Sequence, residues 1–267
     1  MSAPADALAW PLQWGRTLQR WALAWWRNIY LGAVVMVLVL SPSSYGRGTR
    51  GQLARHMYQS TAPILLGFTV LAALISLVIT RIVVVTALSY GLSRYALEMV
   101  VRVLVLELIP LTAALFVAMR CTIPSGQQLV RMRDAGRFEA LRRHGADPVR
   151  VELLPRVLAG VYAGITLAAL SCVVALVMAY LGVYGFNLAG LSPYTRMFGQ
   201  VFTPAITLVF VLKTVLSSLA VALVPMTSAL YAPAPQVRQS DSELGGLARM
   251  FAVLLLIELA SLMGNYY

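Results

Sequence analysis

The chain has 267 residues, of which 60% are hydrophobic and 12% are charged, and its mean hydropathy is +0.78. Soluble domains contain about 45–50% apolar residues, so this composition excludes an ordinary soluble domain and indicates an all-α integral membrane protein. The net charge of +11 lies in segments between the apolar runs, which favours cationic flanks on one side of a bilayer over a nucleic-acid-binding surface.

Residues 1–61 are predicted to form an amphipathic region at the cytoplasmic surface of the membrane. Trp14, Trp21 and Trp25 recur at intervals of seven and four residues, close to one helical face. Tryptophan prefers the headgroup region, and the neighbouring arginines suit anionic lipid. The alternative is a soluble segment that precedes the membrane domain. The apolar stretch 29–40 is too short to cross a bilayer, and we expect a re-entrant or interfacial helix there.

Five transmembrane spans are predicted in residues 62–267, which we interpret as one membrane domain. A crossing helix needs about 20 apolar residues. Apolar runs of this kind lie at about residues 62–87, 95–119, 157–184, 203–229 and 247–264. A loop separates the third span from the fourth and is marked by Gly185, Asn187, Gly190 and Pro193.

The distribution of arginine orients the chain. Six arginines precede residue 62 and eight lie between residues 120 and 156, whereas the loops expected on the opposite side hold few. By the positive-inside rule, the N-terminus and the segment 120–156 are cytoplasmic. Five spans then place the C-terminus outside. The loop 231–249, which holds Arg238 and Arg249, is expected to be cytoplasmic as well.

A polar, arginine-rich stretch interrupts the apolar sequence at residues 127–148. Phe138, Leu141 and Gly145 recur at helical spacing with arginines between them, which predicts a short amphipathic helix on the cytoplasmic side. Gly145 can end this helix in a left-handed conformation, and Pro148 cannot continue it. On physical grounds alone, such a helix is equally consistent with docking into a groove of another protein and with an ordinary solvated loop.

This stretch and its surroundings also carry a more specific pattern. Glu139, Ala140 and Gly145 match the Glu-Ala-Ala…Gly pattern in the cytoplasmic loop of ABC-transporter permeases. A longer loop motif is matched at Met132, Arg133, Ala140, Leu141, Gly145, Asp147, Pro148, Pro155, Arg156, Leu158, Ala159 and Gly160. An upstream motif is matched at Glu107, Leu108, Pro110, Leu111, Leu115, Ala118 and Arg120, and a downstream one at "LKT", residues 212–214, and at Glu258. In these positions the chain resembles the MlaE family of lipid-transporting ABC permeases.

The resemblance implies a transport subunit rather than an enzyme. Permeases of this family form homodimers in the bacterial inner membrane, pair with a dimer of cytoplasmic ABC ATPases and meet a periplasmic hexamer of MCE-domain proteins. A small STAS-type accessory protein is a further candidate partner. Phospholipid, or a similar hydrophobic substrate, moves between a cavity at the dimer centre and the MCE ring. ATP and Mg²⁺ belong to the ATPase. This chain is expected to hold no cofactor, and its sequence contains no Gly-x-x-x-x-Gly-Lys-[Ser/Thr] phosphate loop.

The resemblance also makes the helix at 127–148 a coupling helix that the ATPases move. The residues expected to meet the ATPase are Arg133, Phe138, Glu139, Leu141, Gly145, Asp147 and Pro148. The Glu-Gln pair of the family is replaced by Gly136 and Arg137, so Glu139, one helical turn later, is expected to supply the missing carboxylate.

An intramembrane charge network is predicted from Glu107, Lys213, Glu258 and Arg102. A helical rise of about 1.5 Å per residue places the first three near the midplane of a hydrocarbon core about 30 Å thick. Charges are costly there unless they are paired or face a polar cavity, so Lys213 is predicted to pair with Glu107 or Glu258. The network either lines the lipid path or is an ion pair that fixes helix packing.

Two other functions remain open on the residues alone. An ion-gradient-driven secondary transporter would use the same midplane carboxylates as cation or proton sites, but such transporters often show inverted repeats, and no internal repeat is visible. A membrane scaffold without transport activity would not need the midplane charges. Cys121, Cys172 and the two isolated histidines lack metal-binding spacing, so no metal site and no catalytic residue is predicted.

Overall fold

The computed structural model describes residues 9–41, 47–91, 93–231 and 240–266, and every regular element within them is helical. The long helices are α1 (Ala9–Leu40), α2 (Arg47–Ser89), α3 (residues 93–134), α5 (Val149–Tyr184), α7 (Pro204–Leu230) and α8 (Ser240–Tyr266). Two short helices, α4 (Arg137–Arg143) and α6 (Leu191–Val201), lie in the connections. The predicted all-α class of an integral membrane protein is confirmed.

Six helices in the described ranges are long and apolar enough to cross a membrane, one more than the five predicted. The additional candidate is Ala22–Val39, inside α1. The stretch 29–40 is too short by itself, but α1 is continuous, so the apolar residues that precede position 29 lengthen the run. By length and composition alone, α1 therefore meets the requirement for a span.

The end of α1 packs onto the bundle. Leu31 and Val35 are buried and belong to the same apolar cluster as Leu223 and Met226 of α7. The Arg27 guanidinium lies 4.9 Å from the centre of the Tyr231 ring, at the end of α7. This half of α1 thus packs against the end of α7.

Some sequence-based predictions fall on residues whose placement is not described. They concern the side chains of Trp14 and Trp21, on which the interfacial helix depends, and Arg238 in the loop before α8.

The structure corrects the predicted coupling helix at 127–148. Residues up to Asp134 continue α3, which extends well beyond the predicted end of the second span. The chain then turns at Gly136, which has a φ of 73°, and α4 covers only Arg137–Arg143. A left-handed glycine is a common end for a helix, so Gly136 divides the predicted helix in two.

The loop predicted between the third and fourth spans contains helical structure. A 3-10 turn at Leu188–Gly190 precedes α6. The Tyr194 hydroxyl on α6 donates a hydrogen bond to the Leu176 carbonyl of α5, at 2.9 Å. Burial raises the pKa of Tyr194 to about 12, so the hydroxyl keeps its proton at neutral pH. This bond attaches α6 to the bundle.

Small residues on α5 let its neighbours approach closely. A Cβ added at Gly164 would lie 2.9 Å from the Ser218 Cβ on α7, and one added at Gly182 would lie 2.7 Å from Thr80 Cγ2 on α2. Membrane helices commonly pack through small residues, because apolar burial does not drive one helix towards another in lipid. Helix α5 therefore lies between α2 and α7.

Substitution of Gly164 by alanine should destabilise the folded protein, because the new methyl group would overlap Ser218. Overpacking of this kind typically costs about 1–3 kcal/mol. Gly67→Ala on α2 is the matched control, since an added Cβ there meets no atom within 4 Å and alanine favours a helix by about 1 kcal/mol over glycine. Thermal unfolding in detergent measures both variants. An equal or larger loss for Gly67→Ala would contradict the tight contact between α5 and α7.

Candidate functional site

A single lysine joins three helices inside the bundle. Lys213 on α7 forms ion pairs with Glu107 on α3 and Glu258 on α8. Its ammonium group also donates a hydrogen bond to the Leu106 carbonyl, at 3.2 Å. The lysine side chain is 2% exposed, whereas those of Glu107 and Glu258 are 16% and 14% exposed. The cation is thus enclosed, and the carboxylates remain partly accessible.

The backbone of α3 prepares one of these contacts. Val101–Leu108 is π-helical and ends two residues before Pro110. A proline has no N–H to donate to the carbonyl four residues earlier, which here is Leu106. Lys213 donates to that carbonyl instead. Pro110 therefore frees a backbone acceptor beside Glu107.

Asn265 is a fourth member of this cluster. Its side-chain amide donates to the second oxygen of Glu107, at 3.2 Å. Asn265 lies seven residues after Glu258, so both side chains lie close to one face of α8. That spacing was visible in the sequence and was missed. We refer to Glu107, Lys213, Glu258 and Asn265 as the buried charge network.

Arg102 does not join the buried charge network, contrary to the prediction. Its Nε donates to Glu98 Oε1 at 3.0 Å, one helical turn away on α3. The two side chains are 30% and 37% exposed. Local i,i+4 geometry brings this pair together, so Arg102 has a partner without reaching Lys213.

The polar segment (residues 135–148) is shaped by two left-handed glycines. After the turn at Gly136, α4 ends at Gly145, which has a φ of 72°. The Gly145 N–H donates to the Arg142 carbonyl and the Ala146 N–H to the Leu141 carbonyl, both at 3.0 Å. This is the Schellman arrangement, and it confirms the helix end predicted at Gly145. Asp147 then accepts the Val149 N–H at 3.0 Å and leads into α5.

A buried carboxylate fixes the polar segment to the bundle. Glu152, in the first turn of α5, pairs with Arg156 at 2.7 Å and with Arg137 of α4 at 3.1 Å. The side chains of Glu152, Arg156 and Arg137 are 9%, 11% and 57% exposed. Arg156 also reaches the Met132 sulfur on α3, at 3.6 Å. Three helices thus meet at Glu152, a residue that the sequence analysis did not select because no motif or spacing marks it.

Arg133 makes a second link, from α3 to the end of α7. Its guanidinium donates to the Ala229 carbonyl at 3.3 Å and to the Leu230 carbonyl at 3.0 Å. The last carbonyls of a helix have no partner within the helix, and a cation suits the negative end of the helix dipole. Arg133 therefore attaches the end of α3 to the end of α7.

The residues predicted to meet an ATPase fall into two groups. Phe138 and Pro148 are buried and Leu141 is half-buried, so they attach the polar segment to the bundle. The exposed members are Glu139, Gly145 and Asp147. Within the described residues, no group of three His, Cys, Asp or Glu side chains has the arrangement of a metal site.

Comparison with protein-family models gives one match that covers most of the chain. A model described as Permease MlaE matches residues 53–263. A search of curated proteins gives no significant match. The matched range includes the polar segment, Glu152 and three of the four members of the buried charge network.

Replacement of Lys213 by methionine should strongly destabilise the protein, because two carboxylates lose their cation. Removal of one partner from a buried ion pair costs about 3–5 kcal/mol. The further changes Glu107→Gln and Glu258→Gln should recover most of that loss, since no charge is then left unpaired. Thermal unfolding in detergent compares these variants with Arg196→Gln, an exposed control on α6. A triple variant no more stable than Lys213→Met would rule out direct pairing.

A double-mutant cycle should give a larger coupling energy for Glu152–Arg156 than for Glu152–Arg137. Exposed pairs contribute about 0.2–1 kcal/mol, and Arg137 is the exposed partner. The enclosed Arg156 leaves a buried charge when its partner is removed, which typically costs several kcal/mol. The cycle compares the thermal unfolding, in detergent, of the three single glutamine variants with that of the two double variants, one for each ion pair. Equal coupling energies would mean that burial does not decide the strength of these contacts.

Proposed function

The chain belongs to the MlaE permease family, and from this premise we propose that it moves a phospholipid, or a similarly hydrophobic substrate, between the bacterial inner membrane and an MCE-domain protein. The family match makes the chain a permease subunit of an ABC transporter, with a transport role rather than an enzymatic one. Its apolar helices make it a multi-pass membrane protein. The family match over 53–263 is the observation that carries the proposal.

The proposed assembly contains two copies of this chain, a dimer of cytoplasmic ATPases and a periplasmic hexamer of MCE-domain proteins. A small STAS-type protein is a further candidate subunit. ATP and Mg²⁺ would bind to the ATPases. The polar segment is rich in arginine, so by the positive-inside rule it faces the cytoplasm and the ATPases, and α6 faces the periplasm. In the proposed orientation α1 lies at the cytoplasmic face without crossing, so the five remaining spans place the N-terminus inside and the C-terminus outside.

The contacts of the polar segment suggest how ATP hydrolysis would act on the membrane domain. A force on α4 reaches α5 through Arg137, Glu152 and Arg156. The adjacent end of α3 is tied to α7 through Arg133. Helix α7 carries Lys213 about 25 Å away, at 1.5 Å per residue. Rigid helices of this kind can convert a small displacement at one end into a rearrangement at the other.

The buried charge network is the proposed point at which this movement alters the lipid path. One ammonium group holds two carboxylates from different helices, so a shift of α7 relative to α3 or α8 changes which carboxylate is paired. An unpaired carboxylate requires a polar environment. We therefore expect a change in which carboxylate pairs with Lys213 to open or close a polar route for a lipid headgroup. A purely structural ion network is the competing explanation.

Purification of the tagged full-length chain from its native host in mild detergent tests the function. We expect an ATPase, an MCE-domain protein and phospholipid to be retained. A chain that retains no ATPase, even after crosslinking, would overturn the proposal and favour an ion-gradient-driven transporter or a scaffold. Headgroup analysis of the retained lipid gives the substrate class.

The same purification should show that Gly145 positions the ATPase contact. Gly145→Val forces a bulky residue into a left-handed conformation and should redirect the end of α4, which would lower ATPase retention about tenfold, equivalent to 1.4 kcal/mol. Gly91→Val is a closely matched control, because Gly91 has a φ of 71° and equally open surroundings at the opposite end of the bundle. Similar ATPase loss in both variants would point to general misfolding instead.

A further inference from the structure

The Glu98–Arg102 pair differs from the buried charge network because both of its side chains are partly exposed at the surface of the bundle. They are 37% and 30% exposed, whereas Lys213 is 2% exposed. The pair uses one donor and one acceptor, Arg102 Nε and Glu98 Oε1. Within the described residues, the terminal nitrogens of Arg102 and the second oxygen of Glu98 have no partner. Each side chain therefore has unused capacity that faces outward.

The depth of Arg102 makes its unused capacity costly. Lys213 is the tenth residue of α7, which places it about 14 Å from the outer end of that helix, near the middle of a 30 Å core. Glu107 contacts Lys213 and Arg102 precedes Glu107 by five residues, about 7 Å towards the outer end of α3. Arg102 thus lies inside the outer half of the hydrocarbon, where an incompletely solvated arginine is expensive.

We propose that Glu98 and Arg102 form a headgroup subsite for a zwitterionic glycerophospholipid that carries a primary amine. This proposal rests on the function proposed above and specifies its substrate. The two terminal nitrogens of Arg102 present the fork that binds phosphate through parallel hydrogen bonds. Glu98 Oε2 accepts a hydrogen bond from the ammonium group of the same headgroup. The helical turn that pairs the two side chains holds an anion site and a cation site at adjacent positions.

The charge balance of the subsite selects among lipids. A headgroup with phosphate and ammonium neutralises both side chains. An anionic headgroup without an amine satisfies Arg102 but places its phosphate beside the Glu98 carboxylate. A quaternary amine cannot donate a hydrogen bond to Glu98. The geometry therefore ranks phosphatidylethanolamine above phosphatidylcholine and phosphatidylglycerol.

Apolar side chains beside the pair suit the rest of the lipid. Tyr95, Met99 and Val103 lie within one turn of it on α3 and are 56%, 58% and 53% exposed. They continue the exposed surface on both sides of the ion pair, where the glycerol and the start of the acyl chains would lie. Farther along α3, Glu107 belongs to the buried charge network, so the subsite lies between the outer end of the helix and that network.

The test uses the complete complex of this chain and its ATPase in nanodiscs of equal phosphatidylethanolamine and phosphatidylglycerol, followed by extraction into detergent and lipid quantification by mass spectrometry. We expect wild-type protein to retain the ethanolamine lipid in about tenfold excess. Glu98→Gln should bring that ratio close to one. Arg102→Gln should reduce retention of both lipids about tenfold, and Arg102→Lys less, because lysine keeps the charge without the fork.

Arg81→Gln is the matched control, an exposed arginine on the neighbouring helix α2 that should change neither quantity. A lipid composition unchanged by Glu98→Gln and Arg102→Gln would overturn the subsite, as would an equal effect of Arg81→Gln, which indicates general annular lipid. Efficient disulfide formation between two copies of Met99→Cys would also overturn it, because a second copy would then cover the pair. If instead the wild-type protein binds neither ATPase nor lipid, the proposed function is overturned together with the subsite. If the wild-type complex releases lipid in an ATPase-dependent manner and the Glu98 and Arg102 variants retain the same lipids as wild type, only the subsite is rejected and the proposed function stands.

Discussion

The cost of placing charge in hydrocarbon determines the centre of this molecule. Lys213 is enclosed by protein and is stabilised only because Glu107, Glu258 and a backbone carbonyl surround its ammonium group. These partners come from α3 and α8, so the relative positions of three helices are fixed at one depth. Apolar packing alone would not select such an arrangement in lipid, where apolar side chains are equally well solvated by acyl chains.

A second fixed point lies at the end of the bundle that carries the polar segment. Glu152 gathers arginines from α4 and α5, and Arg133 binds the last carbonyls of α7. Between these two points α7 packs against α5 at Gly164, where an added Cβ would overlap Ser218, and at Gly160, where it would lie 3.2 Å from the Ala222 Cβ. These close contacts couple α7 to α5 along the stretch that separates the two fixed points.

Much of the charge arrangement followed from sequence because helical rise is regular. Counting residues along three helices placed Glu107, Lys213 and Glu258 at one depth, and the structure brings them together. Residue counting gave the wrong partner for Arg102. Its depth suggested the buried charge network, but Glu98, four residues away on the same helix, is closer to it than Lys213 and Glu107 are. Residue counting also failed where a single backbone conformation intervened, since Gly136 breaks a segment whose side-chain pattern suggested one helix. Glu152 escaped notice because a lone acidic residue in an arginine-rich stretch resembles a solvated charge.

Proline positions supply a signal that connects these cases. The three π-helical stretches in the described residues end at Leu108, Thr122 and Leu153, and each end lies two residues before a proline. Proline removes the donor for the carbonyl four residues earlier and crowds it, and a wider π turn relieves that crowding while the helix continues. π-helical segments often occur at functional sites. Here one contains Glu107 and another contains Glu152, the carboxylates that join helices in the buried charge network and beside the polar segment. The spacing of Pro110 and Pro155 is therefore tied to the chemistry beside them: each proline disturbs the backbone where a buried carboxylate needs a particular direction.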